Sequence, residues 1–566
     1  MSRRTVLWCA VLLGVGLALY LGAELLVAGR VGPSLDDGWI YMAFARSFLE
    51  GDAFSYPGHD GPVAAITGTI WSLLLAAVMA VVGATPWAVK VAGAGAAVFA
   101  IYGSWRLARA ATGDPRTAAF VALIVACTPR VLWGALSGME ATFAVGATAF
   151  GLALHLERRT QSTARWLIAA LALSVAGWAR PECFVFVPIA ALHRRRLDGL
   201  LLTLPLLAAY PLYNLAVFGY PLPTTFYAKA ASGSPIAILR HDGVAAACVA
   251  IARNLALQLA GFAAWLPSFL PFLAPGLVLG VRRGLRERDG VPFLAAAVVL
   301  FAIARGGLGF QPPWFQQGRY FLQLWPPFLI LAVHGFDLGR TRSGFAVAVL
   351  VACGLGAWAE PKLAGVLAFD WIPKVLDVGT ARAEVGLIWV PAAATAAFAI
   401  AGAVIGRRGD GRLAAPPVWL VAVWMAAALG FGALRHGEGV RDTYELNVAM
   451  AEVVAREVPA GEVVACHDIG ALGFFARRPL LDLAGLGSPE VAMSPRAPGA
   501  RPDIAAIVQR EKPRFICLTE DMADMVNPGA NTLKGIRSIR LVASIHSDHN
   551  VTVQGDAYHL IELIWD

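Results

Sequence analysis

Apolar runs of about 20 residues recur along most of the chain, and short arginine-bearing loops separate them. A helix is the segment that satisfies all its backbone hydrogen bonds internally across lipid, so this repetition predicts a polytopic α-helical membrane protein. Composition agrees: of 566 residues, 58% are hydrophobic and only 15% charged, against about a quarter charged in soluble chains. The first run, "MSRRTVLWCAVLLGVGLALYLGAELLVAG", is longer than a signal-peptide core and no small-residue cleavage site follows. It reads as an uncleaved first span with Arg3 and Arg4 inside.

The net charge of +8 does not point to nucleic acid, because the arginines sit in loops between apolar runs and no basic–aromatic patch accompanies them. They read as topology signals. Arg106, Arg109 and Arg116, then Arg158, Arg159 and Arg165, "HRRR" (193–196), "VRRGLRER" (281–288), "GRTR" (339–342) and "GRRGDGR" (406–412) mark inner loops. Between them "LSGME" (136–140), "WARPE" (178–182), "FGYPLPTTFYAK" (218–229), "FQPPWFQQGRY" (310–320) and the segment from Pro361 to Arg382 fall outside. A last span over 417–434 exports the C-terminus, giving about 13 crossings. Ile66 to Gly83 is apolar enough to span, but crossing there would put the arginine loops outside. It is expected to lie on, or dip into, the outer face. The span containing Cys183 to Leu192 is expected to begin before Arg180.

The composition changes near Arg435, which divides a transmembrane region (1–434) from a tail (435–566) long enough for one small α/β domain. "GEVVACHDIGALGFFARRPLLDLAGLG" reads as strand, glycine-rich turn, strand; "PRFICLTEDMADMV" as a buried strand and then a helix; "IRLVASIHS" and "YHLIELIWD" as strands. "GALGFF" is not a phosphate loop. No cysteine pair forms a CxxC, and the spacing of Cys466 and Cys517 leaves their pairing open. The histidines have no metal-ligand spacing, and His467–Asp468 reads as a turn.

The polar residues outside the arginine loops collect on the outer side: Asp36, Asp37, Glu140, Arg180, Glu182, Thr224, Thr225, Lys229, Arg319 and Tyr320. A charge at membrane depth costs about 2.5–3.5 kcal/mol on insertion scales, so both signs gathered at one face suggest a lined cavity. Each residue also has a plainer reading. Asp36 and Asp37 are solvated acids after a span, or acids held at a surface by the aromatic stretch Trp39, Tyr41, Phe44 and Phe48, which would lie along the bilayer. Arg180 and Glu182 pair with each other, or face a cavity. Glu140 is a first-turn acid favoured by the helix dipole, Lys229 a snorkelling lysine, and Arg319 with Tyr320 an interfacial anchor.

In this order and on this common side, the outer "DD", "ALSGMEATFA", "WARPE", "FGYPLPTTFYAK" and "GRYFLQLWPPFLIL" resemble the GT-C superfamily of polytopic glycosyltransferases. The likeness is to the bacterial branch with arabinofuranosyltransferase-like and aminoarabinose transferase-like enzymes, and it covers nearly the whole chain. The resemblance implies surface helices in the first outer loop, a polyprenyl-phosphate-linked sugar as donor, and a periplasmic active site in the bacterial inner membrane. It implies a glycan, lipid or protein acceptor and a catalytic acid in the first loop. On it, Asp36 becomes the general base and Asp37 a positioning acid. Lys229, Arg319 and Arg180 hold the donor phosphate, and Glu140, Glu182, Thr224, Thr225 and Tyr320 meet sugar or acceptor or brace the cavity. Some relatives use a divalent metal, and two adjacent acids do not decide it. An oligosaccharide ligase or polymerase of the same fold, and a lipid-linked-sugar flippase or binding protein, are the alternatives; the scarcity of buried polar residues in the spans disfavours a flippase.

The charge alternation makes a direct prediction. In a background without native cysteines, an impermeant thiol reagent should label cysteines placed at Gly61, Gly233 and in the tail from outside, and should not reach Gly113, Gly284 or Gly409. Outside labelling of Gly113→Cys would overturn the parity and the surface reading of 66–83.

Overall fold

The computed structural model describes residues 1–57, 61–157, 162–193, 197–230, 235–265, 273–287, 289–308, 315–341, 413–494, 503–519, 533–547, 552 and 555–566. Helices dominate its first two thirds. They are α1 (Arg3–Ala23), α2 (Asp36–Leu49), α3 (Thr69–Val82), α4 (Pro86–Thr112), α5 (Pro115–Ala126), α6 (Pro129–Leu136), α7 (Ala141–Glu157) and α8 (Thr163–Ala179). There follow α9 (Phe186–His193), α10 (Leu197–Phe218), α11 (Thr224–Ala230), α12 (Pro235–Trp265), α13 (Ala274–Glu287), α14 (Val291–Leu308) and α15 (Trp325–His334). Strands β1 (Phe336–Thr341) and β2 (Leu413–Ala415) pair in parallel, and a long helix, Val418–Asp442, leads to the tail.

Three described stretches, Arg3–Ala28, Pro86–Thr112 and Val418–Glu457, are long and apolar enough to cross a membrane. Helices α5 and α6, bent by 53°, add a fourth if they form one span. The expected count of about 13 crossings is not reached by these. Several expected spans are apolar helices of 10–17 residues as described, α7 and α8 among them, and the expected crossings within 342–412 fall outside the described residues. Helix α3, on the stretch expected at the outer face, has 14 residues and so a length of about 21 Å, short of the ~30 Å hydrocarbon core.

Small residues set how closely the helices pack. A Cβ added at Gly93 of α4 would stand 1.6 Å from the Ala135 carbonyl oxygen, and one at Gly103 would stand 2.7 Å from that of Gly146 in α7. Lipid gives apolar helices no hydrophobic reason to associate, so backbone approach through glycine and alanine supplies the contact. At the end of this packing Lys90 is buried among three oxygens. Its Nζ donates to Glu24 Oε1 at 2.6 Å and to the carbonyls of Gly32 and Leu136 at 2.7 Å each. Glu24 also lies 2.7 Å from His436 Nε2 and accepts from Gly32 N–H.

The tail holds a five-stranded sheet of β3 (Val464–Cys466), β4 (Leu480–Asp482), β5 (Phe515–Thr519), β6 (Ile536–His546) and β7 (Ala557–Trp565), in the order β4-β3-β5-β7-β6. β3 is parallel to both β4 and β5, whereas β7 is antiparallel to β5 and β6. Between β3 and β4, where a glycine-rich turn was expected, the chain makes a helical turn, Leu472–Ala476. The helix expected after β5 lies outside the described residues. Cys466 and Cys517 are register partners on β3 and β5, yet both thiols are free and buried. The helical rod from Val418 to Glu457 runs through residue 435.

The tail covers the first outer loop. Trp39 is fully buried against Tyr444, Phe474 and Phe475, and Tyr41 and Phe44 are buried as well. The aromatic stretch expected along the bilayer is therefore a protein–protein contact, because the tail supplies apolar partners that its sequence distance concealed. Arg46 donates to the carbonyls of Phe474 and Gly473 at 2.6 and 3.1 Å, and Tyr56 O–H donates to that of Ile469.

The glycine packing predicts a sharp contrast within one helix turn. Gly93→Ala must displace the α6 backbone and should lower thermal stability in detergent by more than the ~1–3 kcal/mol usual for overpacking. Gly95→Ala meets nothing within 4 Å and should be neutral or slightly stabilising. Equal melting of the two variants would refute the close approach.

Candidate active site

Helix geometry separates the two adjacent acids. Successive residues on a helix point about 100° apart, so Asp36 and Asp37, which open α2, face different ways. Asp36 faces the tail: its two oxygens accept from the N–H groups of Gly470 and Ala471 at 2.6 and 2.8 Å. Burial, then the neighbouring Asp468, push its carboxyl well above the usual range, while those two amides pull the other way. Asp37 faces the membrane region and pairs with Arg319, Nη1 to Oδ2 at 2.7 Å; its side chain is 33% exposed and that of Arg319 4%.

Arg319 opens a cluster built from the outer ends of several helices. Its Nη2 donates to Tyr320 Oη at 3.1 Å, and its guanidinium carbon lies 5.0 Å from the Tyr320 ring centre. Arg180, which ends α8, stands 5.0 Å from the same ring, and Arg305 near the end of α14 stands 6.0 Å from it. Tyrosine's electron-rich face tolerates guanidinium groups that would otherwise repel. Arg180 donates to Glu140, at the start of α7, and to Glu182 at 2.9 Å. Burial alone would raise the Glu182 carboxyl, but Arg180 holds it below the usual value. Tyr41 adjoins Glu140 and its Oη accepts from Gly68 N–H at 3.3 Å. Glu140 Oε2 and Arg319 Nε are buried without a hydrogen-bond partner among the described residues, and buried polar atoms seldom stay so unless something else completes them.

Asp37, Glu140, Arg180, Glu182, Arg319 and Tyr320 are thus brought together. Asp36 and Thr224 serve contacts to the tail: Thr224 Oγ1 lies 2.7 Å from the Ala64 carbonyl and also within reach of that of Leu486. Thr225 is buried, and its hydroxyl has no partner among the described residues. Lys229 lies in α11, but its side chain is outside the described residues. Sequence reasoning missed Arg305 and Tyr41. The first was legible as a cation at the outer end of an apolar run, the second as the residue four beyond Asp37 on the same helix face.

This geometry sits on a recognisable frame. A family model described as a domain of unknown function (DUF8728) matches residues 435–561, and no curated protein matches the chain. The solved structure of ArnT from Cupriavidus metallidurans bound to undecaprenyl phosphate is similar over 98% of this chain and 97% of its own, at 17% identity and a TM-score of 0.54. Its apo state is similar over 99% and 98%, at 18% identity and 0.52. The Archaeoglobus fulgidus oligosaccharyltransferase complex with Zn and sulfate matches over 96% and 73%, at 12% identity and 0.47, too loosely to carry an argument. The chain has a GT-C-like fold. It is a multi-pass membrane protein of that architecture.

The ion pairs predict an energetic signature. Arg180→Gln strands one buried and one part-buried carboxylate and should cost ~3–5 kcal/mol of stability. Adding Glu140→Gln and Glu182→Gln should recover most of it in a thermal melt. No recovery would mean that Arg180 acts by packing and not by charge.

Proposed function

We propose that the protein is an inverting glycosyltransferase, moving a single sugar from a polyprenyl-phosphate donor to a glycan, lipid or protein acceptor at the periplasmic side of the bacterial inner membrane. One observation carries the reading: the Asp37–Arg319 pair sets a part-exposed carboxylate against a buried guanidinium at the edge of the arginine–tyrosine cluster. The fold supports it, as does the undecaprenyl phosphate bound by ArnT.

In this reading the donor phosphate takes the Arg319 fork, the bidentate geometry that guanidinium offers to phosphate oxygens, and Asp37 is released. The freed carboxylate accepts the proton of the acceptor hydroxyl. The hydroxyl oxygen bonds to the anomeric carbon as the bond from that carbon to the phosphate oxygen breaks, inverting the centre. Polyprenyl phosphate leaves with one more negative charge, and Arg319 with Arg305 stabilises it. Arg180, neutralised by Glu140 and Glu182, is a positioning residue, and Glu140 Oε2 receives a sugar hydroxyl. Lys229 remains a further phosphate ligand in this proposal. Asp36 passes its assigned role as base to Asp37 and fixes the tail over the loop. The tail, 435–566, is taken as a separate periplasmic domain that closes the acceptor side.

The test uses protein in nanodiscs with a polyprenyl-phosphate sugar, scoring free polyprenyl phosphate released. Asp37→Asn should lower turnover by at least ~10²-fold while donor binding holds or tightens, because Arg319 loses its competitor. Arg319→Gln should weaken donor binding, with Lys a poor rescue. Full transfer by Asp37→Asn would remove it as the base; no binding of polyprenyl phosphate by the unaltered protein would remove the whole reading.

A further inference from the structure

A second group of ligating side chains lies at the opposite end of α14. Arg305 marks the cluster end of that helix, and Val291 begins it, so about 21 Å of helix separates the two. Where α13 ends and α14 begins, Glu287 and Asp289 meet His334, the last residue of α15. His334 Nε2 stands 2.9 Å from Asp289 Oδ2 and 3.8 Å from Glu287 Oε2, and one ligating atom from each of the three residues lies within 4.8 Å of the others.

The inward oxygens are held from behind. Arg283 Nε donates to Glu287 Oε1 at 2.7 Å, and Val291 N–H donates to Asp289 Oδ1 at 2.8 Å. The second oxygen of each carboxylate is thereby turned toward the imidazole, as outer partners orient metal ligands. Arg283 also donates to the His334 carbonyl at 3.1 Å, which fixes the end of α15. The His334 side chain is fully buried. Among the described residues neither ring nitrogen makes a hydrogen bond, and Asp289 Oδ2 makes none either, although the two groups lie within contact distance. An imidazole–carboxylate pair that served only stability would align its N–H with the oxygen.

We propose that Glu287, Asp289 and His334 form a site for a divalent transition metal of the zinc class, with one nitrogen and two oxygen ligands. Bonds of about 2.1 Å place the ligand atoms of a four-coordinate ion about 3.4 Å apart, and the distances of 2.9 and 3.8 Å straddle that value. Glu287, whose side chain is 41% exposed, is the entrance, and the fourth position is open to water. The site ties α13, α14 and α15 together at the arginine-loop face, away from Asp37 and Arg319, and does not depend on the proposed transferase activity.

The test takes full-length protein in detergent, strips it with chelator and dialyses it against ZnCl₂. Metal analysis should give one Zn²⁺ per chain, and thermal melting should shift upward with Zn²⁺ as mass action requires. Glu287→Gln, at the exposed edge, and Asp289→Asn, which keeps the cap on Val291, should each weaken Zn²⁺ at least ~10-fold while remaining folded without metal. His334→Gln should abolish binding. Should that variant fail to fold, Glu287→Gln decides. Absence of stoichiometric Zn²⁺ in the unaltered protein, or undiminished binding in both carboxylate variants, would overturn the site.

Discussion

Lys90 is the point on which the acid-bearing end of the molecule depends. A lysine ammonium has three protons and no acceptor, and here each proton meets an oxygen from a different segment: the end of the first span, the loop after it, and the end of α6. His436 reaches the same Glu24 from the long C-terminal helix. Such a buried set adds little net stability over an apolar one, but removing a single partner is costly. Its effect is one of register. The Gly32 carbonyl lies just ahead of the two acids, and that of Leu136 just ahead of Glu140, so one ammonium sets where both acid-bearing loops leave the membrane.

From those loops α2 distributes its residues by face. Asp36 and Trp39 turn to the tail, and Asp37 and Tyr41 turn to the arginine cluster. The tail segment that receives Asp36 leads into a helical turn, and the N–H groups of Gly470 and Ala471 donate to the Asp36 carboxyl oxygens. "GALGFF" thus receives a side chain of the same protein.

The architecture was legible where it follows from solvent. Apolar runs require helices, and alternating positive loops require sidedness, so the polar residues of 136–140, 178–182 and 319–320 could be gathered before any coordinates. Strands β3 to β7 were visible from their apolar content. The length of each helix was less so, because an apolar residue buried against protein and one facing lipid look alike in sequence. The pairing of Asp37 with Arg319 was hidden because it joins residues 282 positions apart, and nothing local marks the partner. The divergence of Asp36 from Asp37, by contrast, needed only the helix angle. Assigning the base to Asp36 and positioning to Asp37 did not use it. The group at Glu287, Asp289 and His334 has no helical spacing to betray it, since its ligands come from two helix ends and a turn.

The contacts of α2 also impose an order on the making of the protein. The amides that receive Asp36 belong to residues 434 and 435 positions later, and the rings that cover Trp39 are as distant. A chain grows from its N-terminus, so α2 is synthesised long before its cover exists. Until the tail arrives it presents a tryptophan, two acids and an arginine to whatever surrounds it. α2 therefore cannot complete its contacts before the tail has been made, and assembly of this loop waits for the tail.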